Sequence, residues 1–195
     1  MKRAGGKLSI VQSDPRTLAV DIGGTGLKAS VLDRAGRMLG EHVRVATPYP
    51  CHPEILVGAI ADLVTPLLPF DRISMGFPGV IRDGKVITAP HFGTKEWRDY
   101  PLADIISDRF GKPARLLNDA EVQGLGVIGG QGLEVVLTLG TGVGTAVFKD
   151  GRLAPHLELA HHPIHNGETY NDYVGGKARG EIGRASCRER VYLEV

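Results

Sequence analysis

Asp21-Ile22-Gly23-Gly24-Thr25-Gly26-Leu27-Lys28 decides the fold, because its flanks fix what kind of glycine loop it is. Thr17 to Ile22 reads as a strand, and Leu27 to Leu32 reads as another. Gly23 to Gly26 is too short a link for a helix and suits a hairpin. That context excludes a dinucleotide-binding fingerprint, which needs strand, turn and then helix. A Walker loop is excluded too, since no Gly-Lys-Ser/Thr closes the stretch. What the glycines offer is successive backbone N–H groups turned into one concavity, a nest for phosphate oxygens. Thr25 adds a hydroxyl and Lys28 a cation, and Asp21 at the strand end can hold Mg²⁺ through water. Taken alone, the loop is equally readable as a glycine-rich turn with no ligand.

Outward from this loop, Asp33 to Gly36 reads as a second turn and Met38 to Ala46 as a third strand, making an antiparallel meander. Ile55, Leu56, Ala59, Ile60, Leu63 and Leu67 recur at helical spacing, which predicts a helix over Pro53–Leu68 that Pro66 and Pro69 terminate. Arg72–Gly76 is a strand running into Phe77-Pro78-Gly79, and Asp99–Phe110 a helix broken by Gly111-Lys112-Pro113. Ala114–Leu117 is a strand and Glu121–Ile128 a helix. Leu133–Leu139 and Gly144–Lys149 are then a strand pair, and Asp150-Gly151 a further hairpin turn. The order is α/β with mixed sheets, and its repeated opening predicts two related lobes, residues 17–117 and 118–180. Residues 1–16 read as a flexible N-terminus.

Leu139-Gly140-Thr141-Gly142-Val143-Gly144 repeats the glycine device between two strands of the second half. Two such loops predict a cleft in which phosphate is clamped from both sides. The chain of 195 residues has a net charge of +1, so phosphate binding has to come from local geometry. The same balance argues against nucleic acid or an anionic membrane as the main partner. Its 27 glycines, in a chain 42% hydrophobic and 23% charged, point to backbone approaching a ligand closely. Cys51 and Cys187 cannot build a disulfide scaffold or a zinc cage, which fits a reducing compartment. No apolar run approaches the ~20 residues of a membrane span, and no export signal opens the chain, so a cytoplasmic location is expected.

Asn118-Asp119 follows a strand and precedes a helix, where a side chain aims into a cleft. An ionised aspartate there can take the proton of a substrate hydroxyl as it attacks phosphorus. The competing reading is a helix N-cap. Glu158 and His161 stand three residues apart, followed by His162 and His165, and are readable as ligands or as ordinary surface groups.

Together these segments resemble the ROK family of sugar kinases and repressors, over about Leu18 to Gly176. The resemblance rests on Asp21–Lys28 and Leu139–Gly144 as phosphate motifs and on Gly76-Phe77-Pro78-Gly79. It rests also on Leu117-Asn118-Asp119-Ala120 as the catalytic segment and on Glu158-Leu159-Ala160-His161. Gly76–Ile81 and Val136–Thr145 are most like the family's polyphosphate-dependent glucose kinases. The resemblance implies an actin-like ATPase (ribonuclease H-like) fold with its second lobe incomplete. The implied function is phosphoryl transfer from polyphosphate or ATP, with Mg²⁺, to the 6-hydroxyl of glucose. A kinase for another hexose and a non-catalytic sugar sensor are the alternatives.

By the same resemblance Asp119 is the general base, and Gly23, Gly24, Thr25, Gly26, Lys28, Gly140, Thr141, Gly142 and Gly144 bind phosphate. Gly79, Asn118, Asp119, Glu158, His161 and Asn171 bind the sugar. Asn171 falls where the family has a glutamate, with Glu168 as a substitute, and Ala160 replaces a glycine. Many members carry a zinc-binding cysteine cluster after the histidine. His162 to Gly176 contains no cysteine, so no zinc is expected. The residues before Leu18 are too few for the repressors' DNA-binding domain, and the family often forms homodimers.

Residues 181–195 call for a separate account. Glu181 to Val191 looks like the conceptual translation of a sequencing adapter, with a genuine basic helix as the alternative. On that reading the tail is non-native, the frame is lost near Gly180, and the chain is a fragment with weak activity or none. An intact gene frame through Gly180 would defeat it.

Overall fold

The structure, a computed structural model, describes residues 14–140, 142–176 and 192–194. Most of the expected N-terminus and tail, Cys187 included, therefore lie outside the described residues.

Strand β1 (Thr17–Ile22) turns directly into β2 (Gly26–Leu32), and the two pair antiparallel with Asp21 opposite Lys28. Alternation along β1 buries Leu18, Val20 and Ile22 on one face. The third strand, β3 (Val43–Ala46), is shorter than the expected Met38–Ala46. Met38 makes only an isolated bridge to Leu32, and the exposed stretch Leu39 to His42 does not join the ladder.

Helix α1 (Pro53–Val64) buries Leu56, Val57, Ile60, Leu63 and Val64. It ends four residues short of the expected Leu68, because Pro66 has no N–H to continue the bonding pattern. Strand β4 (Arg72–Phe77) lies parallel to β1. A small hairpin of β5 (Ile81–Arg82) and β6 (Lys85–Val86) and the short helix α2 (Thr94–Trp97) follow, none of them expected. Their anchor is Trp97, fully buried against Phe77 at 5.1 Å between ring centroids. Its indole N–H donates to the Cys51 carbonyl at 2.9 Å.

Helix α3 (Leu102–Phe110) starts three residues later than the expected Asp99, which sits in left-handed backbone at φ 61°. Strand β7 (Ala114–Asn118) then pairs parallel with β4, completing a five-stranded sheet of order β3-β2-β1-β4-β7.

Helix α4 (Asp119–Leu125) begins two residues before the expected Glu121 and ends before Ile128. Beyond it, β8 (Leu133–Leu139) and β9 (Val143–Lys149) form the second hairpin, and Asp150-Gly151 turns into β10 (Arg152–Leu153). Both turn residues have positive φ, at 50° and 73°, as a tight Asp-Gly hairpin requires. The chain continues through β11 (Pro163–His165), β12 (Glu168–Thr169) and α5 (Tyr170–Val174). Strand β13 (Tyr192–Glu194) pairs with β8, giving a second sheet of order β10-β9-β8-β13.

Helix α4 packs on β4 and β7 of the first sheet and on β8 and β9 of the second. Gly124 makes the second contact possible, since a Cβ there would lie 2.6 Å from the Phe148 ring. Among the described residues no helix is long and apolar enough to cross a membrane.

Candidate active site

The two glycine turns open on one cleft of about 1440 Å³, and α4 lies at its base. On one wall, Gly23 N–H donates to the Gly26 carbonyl at 3.0 Å, closing the turn between β1 and β2. Thr47 Oγ1 donates to the Gly23 carbonyl at 2.6 Å and the Tyr49 hydroxyl to that of Gly24 at 2.7 Å. With those carbonyls engaged and the Gly23 N–H spent on Gly26, Gly24 and Thr25 are left to offer their N–H groups and the Thr25 hydroxyl to the cleft they line. Gly23, Gly24, Thr25 and Asp21 line the cleft, whereas Gly26 and Lys28 do not. Gly26 is packed in the ladder beside Arg44 and the Val45 carbonyl, and Lys28 Nζ rests 3.2 Å from Asp21 Oδ2.

On the opposite wall, Gly140 N–H donates to the Gly142 carbonyl at 2.9 Å. Gly140, Gly142 and Gly144 all line the cleft. A Cβ on Gly144 would run into the Thr138 hydroxyl and the Ala120 methyl, so this loop sits directly on the first turn of α4. Thr141 lies outside the described residues.

Between the walls, the competing readings of Asn118-Asp119 fall on different residues. Asn118 is the cap: its Oδ1 accepts from Ala120 N–H at 2.9 Å, and its own N–H donates to Glu121 Oε2 at 3.0 Å. Its Nδ2 donates to the Gly79 carbonyl at 3.0 Å, while Gly79 N–H donates to Phe77 O. With both backbone groups of Gly79 engaged, its missing side chain serves packing: a Cβ there would run into the Thr88 carbonyl. Asp119 is the first residue of α4 and lines the cleft. Burial raises its pKa above the usual carboxylate value, and the charge of Asp21 adds to the rise. The Ala120 N–H, bonded to Asp119 Oδ1 at 2.8 Å, and His91 act in the opposite direction.

The Asp21 and Asp119 carboxylates thus share one field. Among the described residues no group of three or more His, Cys, Asp or Glu is arranged to hold a metal ion. A hydrated Mg²⁺, which keeps water and substrate phosphates as ligands, fits Asp21 without such a cage.

Glu158, Ala160, His161 and Asn171 line the same cleft, and Glu168 does not. Asn171 Oδ1 accepts from Val143 N–H at 2.8 Å, tying α5 to the second glycine loop. Sequence reasoning missed three further residues. Glu121 was legible in the Asn118-x-x-Glu121 spacing of a capping box. His91 and His156 carry no local signal, because chain folding alone brings them to the cleft.

A glycine turn opening each of two sheets, with an acidic residue at the start of the helix between them, defines the actin-like ATPase fold. The chain belongs to the ROK family, whose model matches residues 17–188. It is 31% identical to the polyphosphate glucokinase of Mycobacterium tuberculosis (strain ATCC 25618 / H37Rv) over 179 residues, covering 88% of this chain and 63% of that protein. It is 32% identical to the N-acetylmannosamine kinase of Citrobacter koseri over 181 residues, covering 90% of this chain and 60% of that one. The crystal structure of the inorganic polyphosphate/ATP-glucomannokinase of Arthrobacter sp. strain KM is similar with a TM-score of 0.76 and 34% identity. That match covers 87% of this chain and 72% of the other. The chain thus spans less than two thirds of the length of these curated relatives.

Proposed function

We propose that the protein is a hexose kinase that transfers the terminal phosphoryl group of polyphosphate or ATP to the 6-hydroxyl of glucose. The observation that supports this reading is that Asp119 lines the same cleft as both glycine turns. The sugar 6-oxygen attacks the terminal phosphorus while Asp119 takes the hydroxyl proton. The new O–P bond forms as the phosphoanhydride P–O bond breaks, and the shortened polyphosphate or ADP leaves. Its raised pKa makes Asp119 a stronger base than an exposed aspartate.

The N–H groups of Gly24, Thr25 and Gly142 hold the donor phosphates, those of Gly23, Gly140 and Val143 being spent on bonds that shape the two turns, and Asp21 would hold Mg²⁺ through water. When bound, the ion supplies charge neutralisation on those phosphates. Asn118, Glu158, His161 and Asn171 orient the sugar by its hydroxyls, and Gly79 borders the sugar on the loop that the Asn118 amide holds. Catalysis on this account is positioning and electrostatics rather than covalent chemistry.

A second reading, a kinase for another hexose, is favoured by the uncharged Asn171 and by the likeness to an N-acetylmannosamine kinase. The test is a panel of glucose, mannose and amino sugars against ATP and polyphosphate with Mg²⁺. Glucose is expected to turn over fastest. Preference for an amino sugar supports the second reading, and hexose binding without turnover by the full gene product supports a sensor.

A further inference from the structure

His156, on the segment after β10, stands between two carboxylates, the buried Glu121 of α4 and the cleft-lining Glu158. Its Nδ1 lies 2.9 Å from Glu121 Oε1 and its Nε2 3.5 Å from Glu158 Oε2. The imidazole and Glu121 are 17% and 7% exposed, while Glu158 is 39% exposed and lines the cleft. Glu121 spends its other oxygen on the N–H of Asn118, the residue before Asp119. Only the Nδ1 contact is a formed hydrogen bond, and the buried Nε2 has no other partner among the described residues, so the doubly protonated ring is the form that serves both carboxylates. Hydrogen bonding to Glu121 and then to Glu158 outweighs burial and pushes the His156 pKa up to about 9. The same contact to His156 is the main cause holding Glu158 below the usual carboxylate value, with a smaller contribution from His161.

We propose that His156 is a positioning residue for phosphoryl transfer: its imidazolium ties the sugar-side carboxylate of Glu158 to the capping carboxylate of Glu121. The group that orients the hexose and the turn that carries Asp119 are thereby held in one frame. The 3.5 Å contact is the slacker of the two, which suits a carboxylate that also accepts from a sugar hydroxyl. The inference rests on the kinase reading above and gives it a residue outside the family motifs.

The test is His156→Gln beside His156→Lys, with hexose KM and kcat measured across pH. In His156→Gln the hexose KM rises about tenfold, the scale of one hydrogen bond to a charged group. Glu158 loses its cation, so its pKa rises, and hexose binding is lost at higher pH as acid is added. The acid limb accordingly moves up by about one pH unit. His156→Lys restores part of both effects because it keeps the charge. In the unaltered protein KM rises again as pH passes about 9. An unchanged hexose KM and acid limb in folded His156→Gln would overturn the proposal.

The nitrogen resonances of the His156 ring in the unaltered protein are a second, fold-independent measurement. Both nitrogens are protonated at neutral pH on this account, and a neutral ring overturns it. Failure to turn over any hexose would defeat the kinase reading instead, and the ring resonances would then decide the clamp alone.

Discussion

The side-chain amide of Asn118 donates to the carbonyl of Gly79 at 3.0 Å, joining the end of β7 to the loop that leaves β4. Both strands are parallel neighbours of the first sheet, with Phe77 opposite Asn118. One residue thus caps α4, fixes a cleft-lining loop and sets the start of the turn from which Asp119 projects. Its side chain is buried with all of these bonds inside the protein.

Asn118→Ala removes the cap and leaves the Gly79 carbonyl without its donor. The expected loss is about 1–3 kcal/mol of stability. Denaturant unfolding measures it. A midpoint unchanged from the parent protein would show that the capping network contributes little.

The second glycine loop separates packing from ligand contact. Gly144→Ala places a methyl against Thr138 and Ala120, with an expected cost of about 1–3 kcal/mol. Gly140→Ala meets no atom within 4 Å, so stability stays within about 0.5 kcal/mol. On the phosphate reading the donor KM of Gly140→Ala rises while the hexose KM holds. Steady-state kinetics with varied donor distinguishes the two.

Thr47→Val deletes the 2.6 Å bond to the Gly23 carbonyl and leaves that carbonyl free to turn toward the cleft. A loss of about 0.5–1.5 kcal/mol is expected. Donor affinity, measured by calorimetry with a non-transferable donor, falls alongside. Hexose affinity serves as the internal control, since Thr47 does not itself line the cleft.

The pKa of Asp119 is raised by burial and by Asp21, so the base is lost to protonation at a higher pH than an exposed aspartate would be. The acid limb of kcat/KM therefore lies higher than an exposed aspartate would set it. Asp21→Asn removes one cause of the rise, so the Asp119 carboxyl titrates lower in that variant, which NMR titration without donor or Mg²⁺ measures. The sign for stability follows from linkage: a carboxylate whose folded pKa is raised favours the folded state as pH falls through that pKa. Asp119→Asn is accordingly expected to stabilise the fold by about 0.5–1 kcal/mol at neutral pH, which thermal unfolding measures.

Much of this arrangement was legible in the order of residues. The β1–β2 hairpin, α1 and the Asp150-Gly151 turn each rest on period or turn chemistry, which neighbouring residues express. The limits of α1 and α3 were misread where one residue overrides a periodic pattern: Pro66 for the first, left-handed Asp99 for the second. The hairpin and short helix between Val80 and Arg98 had no periodicity to betray them, because Trp97 buried on Phe77 holds that segment in place. In the cleft, motif residues announced Asp119 and the glycine turns. His91 and His156 did not, since their place depends on side chains remote in sequence.

The central claim is that Asp119 is the base of a sugar kinase, and one comparison tests it most directly. Asp119→Asn in the full gene product is assayed for transfer to glucose from ATP and polyphosphate, with glucose affinity measured on the same sample. The account predicts that turnover falls by at least about 10²-fold, the scale of a lost general base, while glucose affinity changes only a few-fold. Turnover near that of the unaltered protein would contradict it.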